Sequence, residues 1–294
     1  MPGTLHLLRG GGCALTAAIP WGAIAAVGEG PLDLYSMNHH ADRHTEKDRG
    51  GPGEPGDPPA WTAPALAALH ACGVRAARIV VNRELPAQTG LLRGAETFCA
   101  VSQALGEIHG RPVPSWAAAY GDDPAYVTGL HARAGHALFV RGRGGSGGIE
   151  HVPCDLAAEG LRFLIIETGL TEGPPPGKDR PSLLVEAAAA ALRAGDMEVF
   201  GALLDDGHVR GEPVLDRALD AAREAGALGG LVAGHCAVAL VPVAAVRRVR
   251  ERVKARLAGS VRRPPRFLTA VPAGRDRTRA EAAPAARPAL RASV

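Results

Sequence analysis

AGALGGLVAGHCAVALVP, residues 225–242, says more about the architecture than any other part of this 294-residue chain. A helix over 214–225 ends, a glycine-studded loop turns over 226–235, and an apolar strand of small and β-branched residues leaves it at Cys236. Glycine-rich helix–loop–strand junctions let backbone N–H groups approach a ligand phosphate or another backbone closely. A helix over 243–257 follows and carries Arg247, Arg248, Arg250, Arg252, Lys254 and Arg256. It can be read as a basic patch for nucleic acid or acidic lipid, or as a solvated outer face with Val246, Val249 and Val253 turned inward. We adopt the second.

Around that stretch, composition sets bounds. The length suffices for one large domain or two small ones with a sizeable core. Hydrophobic residues make up 46% and aromatics 4%, so the core must be built from Ala, Val and Leu, and a modest stability is expected. A net charge of +3 excludes nucleic acid as a general partner, and no membrane association is expected. The five cysteines, Cys13, Cys72, Cys99, Cys154 and Cys236, are scattered and odd in number, which fits a reduced, cytoplasmic protein with buried thiols. Residues 1–27 mimic a secretion signal, but Pro20 interrupts the apolar run, and two strands joined by a glycine turn are the better reading.

In chain order, a strand is expected over 32–37 and an exposed loop over 38–59. His39, His40, Asp42 and His44 lie in that loop, where no fixed geometry would hold a metal. A helix over 61–72 and a strand over 78–81 lead to Pro86–Ala95, a glycine-bearing loop before a helix that runs to about Ile108. Asp122-Asp123-Pro124 reads as a helix cap or turn. Strands over 137–140 and 149–152 flank a hairpin turn, RGRGGSGG, and a buried strand follows toward Thr168. Helices over 183–193 and 197–204 meet at Ala194-Gly195-Asp196, a C-cap beside an N-cap. RFLTAVP, residues 266–272, reads as a closing strand, and residues 273–294 as a disordered tail.

These landmarks resemble, in order, the galactokinases of the GHMP small-molecule kinases. The 225–242 stretch is similar to their last signature, Gly-Gly-Gly-Phe-Gly-Gly before a strand, keeping Gly229, Gly230 and Gly234. Pro2–Cys13 resembles the opening Pro-Gly-Arg-Val-Asn-Leu-Ile-Gly-Glu-His-Thr-Asp motif, with Thr4 at the arginine position. Residues 86–95 resemble the phosphate loop Pro-x-Gly-x-Gly-Leu-Ser-Ser-Ser-Ala. Gly90, Leu91 and Ala95 match, while Leu92, Arg93 and Gly94 stand where the serines would be. Counting back from ARAGHAL, the family's sugar-facing aspartate falls at Ala125.

The resemblance implies an α/β (α+β) fold of two lobes, a ribosomal-S5-like N-terminal lobe over 1–135 and a ferredoxin-like C-terminal lobe over 136–272. It implies a cleft for ATP with Mg²⁺ and a small sugar such as galactose, phosphorylated at its anomeric hydroxyl. Gly90, Leu91, Arg93, Gly94, Ala95, Gly229, Gly230 and Gly234 would line the nucleotide site. No catalytic residue is matched by motif, no metal ligand is assigned, and a degenerate kinase is expected. Two alternatives stay open: a site rebuilt from Arg9, Arg93 or Asp122 and Asp123, and a non-catalytic subunit with a protein partner. Arg93 either offers charge to an anion at the helix start or is a surface arginine near Glu96.

Overall fold

The structure, a computed structural model, describes residues 1–45, 58–110, 123–142, 146–170 and 180–275. Strands β1 (Pro2–Gly10) and β2 (Cys13–Gly28) form the antiparallel hairpin expected of residues 1–27. β3 (Asp33–Ser36) and β4 (His44–Thr45) follow, then α1 (Ala63–Ala71) and β5 (Arg78–Arg83). The long β2 bridges the sheet, pairing β1 and β6 (His136–Arg141) through its first half and β5 through its second. β7 (Ile149–Pro153) extends the edge beyond β6, so strands from both sides of residue 135 share one seven-stranded sheet. Helix α2 (Ala95–His109) and helix α3 (Pro124–His131) pack on it. Phe98 and Leu105 of α2 bury against Leu34 and Ile79.

The second sheet is antiparallel, in the order β11 (Arg266–Ala270), β8 (Leu161–Glu167), β10 (Cys236–Pro242), β9 (Gly229–Ala233). Side chains alternate across a strand. Phe163, Ile165, Val238 and Leu240 therefore face Leu5, Leu15 and helices α4 (Ser182–Ala194) and α5 (Met197–Asp206). Leu164, Ile166, Ala239 and Val241 face α6 (Pro213–Glu224) and α7 (Val246–Leu257) instead. Both faces are covered, which is why β8 and β10 read as unbroken apolar runs. Val249 and Val253 of α7 are buried and Val246 partly so, with the arginines outward.

Three expectations change. Residues 229–233 are not loop but strand β9, paired along β10, and only Gly234 and His235 turn. The 38–59 segment is not exposed throughout, since His44 is buried in β4 and pairs with Leu34; residues 46–57 lie outside the described residues. The chain after Pro272 stays anchored to Arg275, with Ala273 N–H donating to Ala18 and Arg275 N–H to Ala132; residues 276–294 lie outside. Of the hairpin over 141–148, residues 143–145 lie outside too, and Arg141 N–H donates to Gly148. Asp196 caps α5 as expected, accepting from Val199 N–H at 3.0 Å.

Candidate functional site

The 86–95 loop closes with a turn at Ala87–Thr89, a left-handed Gly90 and buried Leu91 and Leu92, then enters α2 at Gly94. The Gly234–His235 turn lies directly on it. His235 N–H donates to Thr89 O at 2.9 Å, His235 Nδ1 bonds Gln88 O at 3.0 Å, and the Cys236 thiol points at Thr89 O. A Cβ on Gly90 would meet the His235 ring at 2.9 Å, and one on Gly234 would meet the Gly90 carbonyl carbon at 2.6 Å. Two glycine motifs 140 residues apart are thus pressed together, and Gly90 is needed both for its positive φ and for this contact.

The remaining predicted residues divide. Leu92, Arg93 and Gly94 line a small cavity of about 100 Å³ with Trp61, Arg83 and Thr97. Gly229 and Gly230 do not join them. A Cβ on Gly229 would overlap the Gly201 carbonyl oxygen of α5, so Gly229 serves a close helix–strand crossing, while one on Gly230 would meet Val238 O of β10 and Leu219 of α6.

What occupies the mouth of α2 is Glu96, which the motif comparison did not single out. Its buried carboxylate accepts from Gly94 N–H at 3.1 Å through either oxygen and lies 3.3 Å from Arg83 Nε. A helix N-terminus favours negative charge, and here the chain supplies its own. Arg93 is exposed, and the cation beside Glu96 is Arg83.

Beside the loop, β1 meets α3. Leu92 rests against Gly3, and Thr4 Oγ1 donates to Ala125 O at 3.3 Å. Two residues further along β1, on the same face, His6 Nε2 stands 3.8 Å from Asp123 Oδ1. Asp123 also caps α3 by accepting from Ala125 N–H at 2.9 Å; Asp122 lies outside the described residues. Burial holds His6 below the ordinary imidazole value, the Asp123 charge opposes that, and Arg93 and Arg9 add to it. His6, Asp123, Arg9 and Arg93 therefore share one electrostatic neighbourhood.

Other candidates separate. His39 stacks on Trp61, His40 bonds Tyr35, and His44 sits in β4. His151 is hydrogen-bonded to His131 O at 2.7 Å, and His208 to Asp216 Oδ1 at 2.7 Å. The five cysteines are free, and burial raises Cys99, Cys154 and Cys236 to about 12.

Galactokinase from Streptomyces coelicolor is 26% identical over 89% of this chain and 87% of its own length. The chain is a galactokinase homologue. No protein-family model matches it. The solved galactokinase of Lactococcus lactis, complexed with galactose, superposes with a TM-score of 0.71 at 18% identity, over 93% of this chain and 92% of that one. Homoserine kinase from Cytophaga hutchinsonii gives a TM-score of 0.65 at 15% identity, over 93% and 94%. The fold is the two-lobe GHMP-kinase fold.

In this galactokinase homologue the two positions that motif resemblance puts at the opening arginine and the sugar-facing aspartate, Thr4 and Ala125, lie against each other. They carry the Thr4 hydroxyl and the Ala125 methyl. The residues present do not fit Mg²⁺ with a nucleoside triphosphate. The helix mouth holds the Glu96 carboxylate, the loop offers no hydroxyl at 92–94 as a metal ligand, and the cavity is about 100 Å³ where drug-sized ligands occupy roughly 300–1,000 Å³. Trp61 and Arg83 both line that cavity, and their buried Nε1 and Nε atoms make no hydrogen bond among the described residues, Arg83 Nε standing in its ion pair with Glu96. Among the described residues no helix is long and apolar enough to cross a membrane.

Proposed function

We propose that this chain is a degenerate galactokinase, in which ATP-dependent phosphorylation of galactose at the anomeric hydroxyl is weak or lost. The observation that carries the reading is the Thr4–Ala125 contact. Phosphoryl transfer depends on positioned charge around the reacting oxygens, and at this point of the cleft a hydroxyl meets a backbone carbonyl. The Glu96 carboxylate in the helix mouth supports the same reading, because it would repel an incoming phosphate. Five free cysteines support a cytoplasmic setting.

The test is thermal denaturation of the purified protein with Mg-ATP, galactose, or both, alongside a coupled phosphotransfer assay. A ligand that binds only the folded state adds about 2.7 kcal/mol at a hundredfold excess over its Kd. We expect no shift from Mg-ATP and no measurable turnover. A clear shift together with turnover would overturn the reading.

One observation favours a second reading, a sugar kinase with a rebuilt site. His6 and Asp123 bring an imidazole and a carboxylate within 3.8 Å of each other two residues from the lost pair, with Arg93 and Arg9 close enough to act on His6. On that reading, turnover in the wild type would fall at least ~100-fold in His6→Gln.

A further inference from the structure

A second and larger cleft, of about 690 Å³, opens where the start of the 86–95 loop meets one end of the second sheet. Gln88 reaches it from the loop, Thr168 from just beyond β8, and Val214 from the first turn of α6. Arg262, Arg263 and Arg266 come from the connection between α7 and β11 and from the first residue of β11. None of the residues at the α2 mouth lines it; those belong to the small cavity around Trp61.

Two features of the cleft are independent. Thr168 is 4% exposed, and its hydroxyl has no hydrogen-bond partner among the described residues. A buried polar group left in that state is costly, and rare in folded chains unless something else pairs with it. Three guanidinium groups stand at the same cleft, and none makes an ion pair among the described residues. The carboxylate in the lining, Glu167, already accepts from Gly169 N–H at 2.7 Å. The lining therefore carries an excess of positive charge with planar donor forks, and the Thr168 hydroxyl lies buried in its wall.

We propose that this cleft binds a small phosphate-bearing molecule, its phosphate held by Arg262, Arg263 and Arg266 and its organic part lying toward Gln88. Guanidinium forks match phosphate oxygens in pairs, and the volume lies within the range of small-ligand sites. A single phosphate group leaves most of the cleft to the remainder of the ligand, and the Gln88 side-chain amide suits a polyol there. The site does not use the α2 mouth, so it stands whether or not the chain transfers phosphate.

The experiment titrates two probes, inorganic phosphate and a hexose monophosphate, into the full-length protein by calorimetry and thermal denaturation. Both should bind, the hexose monophosphate more tightly, with affinity falling as salt rises. Arg262→Ala/Arg263→Ala, two changes at exposed positions, should weaken both probes at least ~10-fold. Gln88→Ala should weaken the hexose monophosphate alone, and Thr168→Val should leave both affinities unchanged while raising the transition temperature of the ligand-free protein by removing a buried unpaired hydroxyl. Arg247→Ala, on the outer face of α7, and Glu96→Gln, at the helix mouth, should change neither affinity. Absence of binding at millimolar probe, undiminished binding in the double variant, or an equal loss in Arg247→Ala would overturn the proposal. A change of affinity in Glu96→Gln would move the anion to the helix mouth and overturn it too.

Discussion

His6 lies two residues beyond Thr4 on the same face of β1, and its folded-state proton affinity is set chiefly by burial, with Asp123 opposing and Arg93 and Arg9 reinforcing. In the unfolded chain the imidazole titrates near 6.5, so as pH falls the unfolded state binds the proton first. The stability this site contributes is complete above about pH 6.5 and is lost as pH falls from there through the lower folded value. His131 carries the same sign, from burial and then from His151 and Arg275, so the comparison must be with a variant. We expect His6→Gln to flatten the fall in denaturation midpoint between about pH 7 and pH 5, and Asp123→Asn to prolong it to lower pH. A wild-type profile that superposes on that of His6→Gln would contradict this. Glu96→Ala strands Arg83, whose side chain is 18% exposed, and leaves the Gly94 N–H unpaired; a loss of about 2–4 kcal/mol in urea denaturation is expected. Neither residue stood out in the sequence. A histidine at an alternating strand position reads as an ordinary outward polar residue, and a glutamate in a first helical turn as an ordinary dipole partner. Only the fold shows that one faces Asp123 and the other turns back into the helix mouth.

At the scale of elements, the crossing of α5 over β9 depends on the absence of side chains. Gly229 lies against the Gly201 carbonyl, and Asp205 of α5 ties the crossing by accepting from Gly230 N–H at 2.7 Å and from Arg223 of α6. Gly229→Ala must push the helix off the strand, with an expected cost of at least ~3 kcal/mol or failure to fold. Asp205→Ala should cost about 1–3 kcal/mol, because it leaves a backbone N–H and a guanidinium without their acceptor. Thermal midpoints of the two variants check both, and an unchanged midpoint for Gly229→Ala would show that the crossing has slack. The same glycines explain why this region was misread. Glycine clusters usually mark turns, and sequence spacing cannot separate a residue chosen for φ from one chosen for a neighbour's proximity. The hydrophobic framework was legible because it rests on periodicity. The strand hairpin over 1–27, the capped junction at Gly195 and Asp196, and the buried β8 and β10 follow from alternation and capping chemistry that act locally.

For the whole molecule, one apolar cluster joins the two sheets: Leu5 and Leu15 of the first pack in the same body as Phe163 and Leu240 of the second, closed by Phe200 of α5. Although aromatics are scarce, Phe98, Phe139, Phe163 and Phe200 are among the largest fully buried side chains. We expect the two lobes to unfold together, in one calorimetric transition near the mesophile range of about 45–65 °C; two resolved transitions would show that the shared core does not couple them. A chain ending at Ala270 should melt well below one ending at Arg275, since Ala273 donates to Ala18 of β2 and Arg275 to Ala132 at the end of α3. The His235 turn that covers the Gly90 loop adds a matter of timing. Its bonds join residues 147 apart in sequence. At ribosomal rates of about 5–20 residues per second, the loop emerges roughly 7–30 s before the residues that cover it. During synthesis Leu91 and Leu92 must wait uncapped for that interval, and the pairing of Thr89 with His235 is among the last steps by which the nascent chain becomes resistant to a protease.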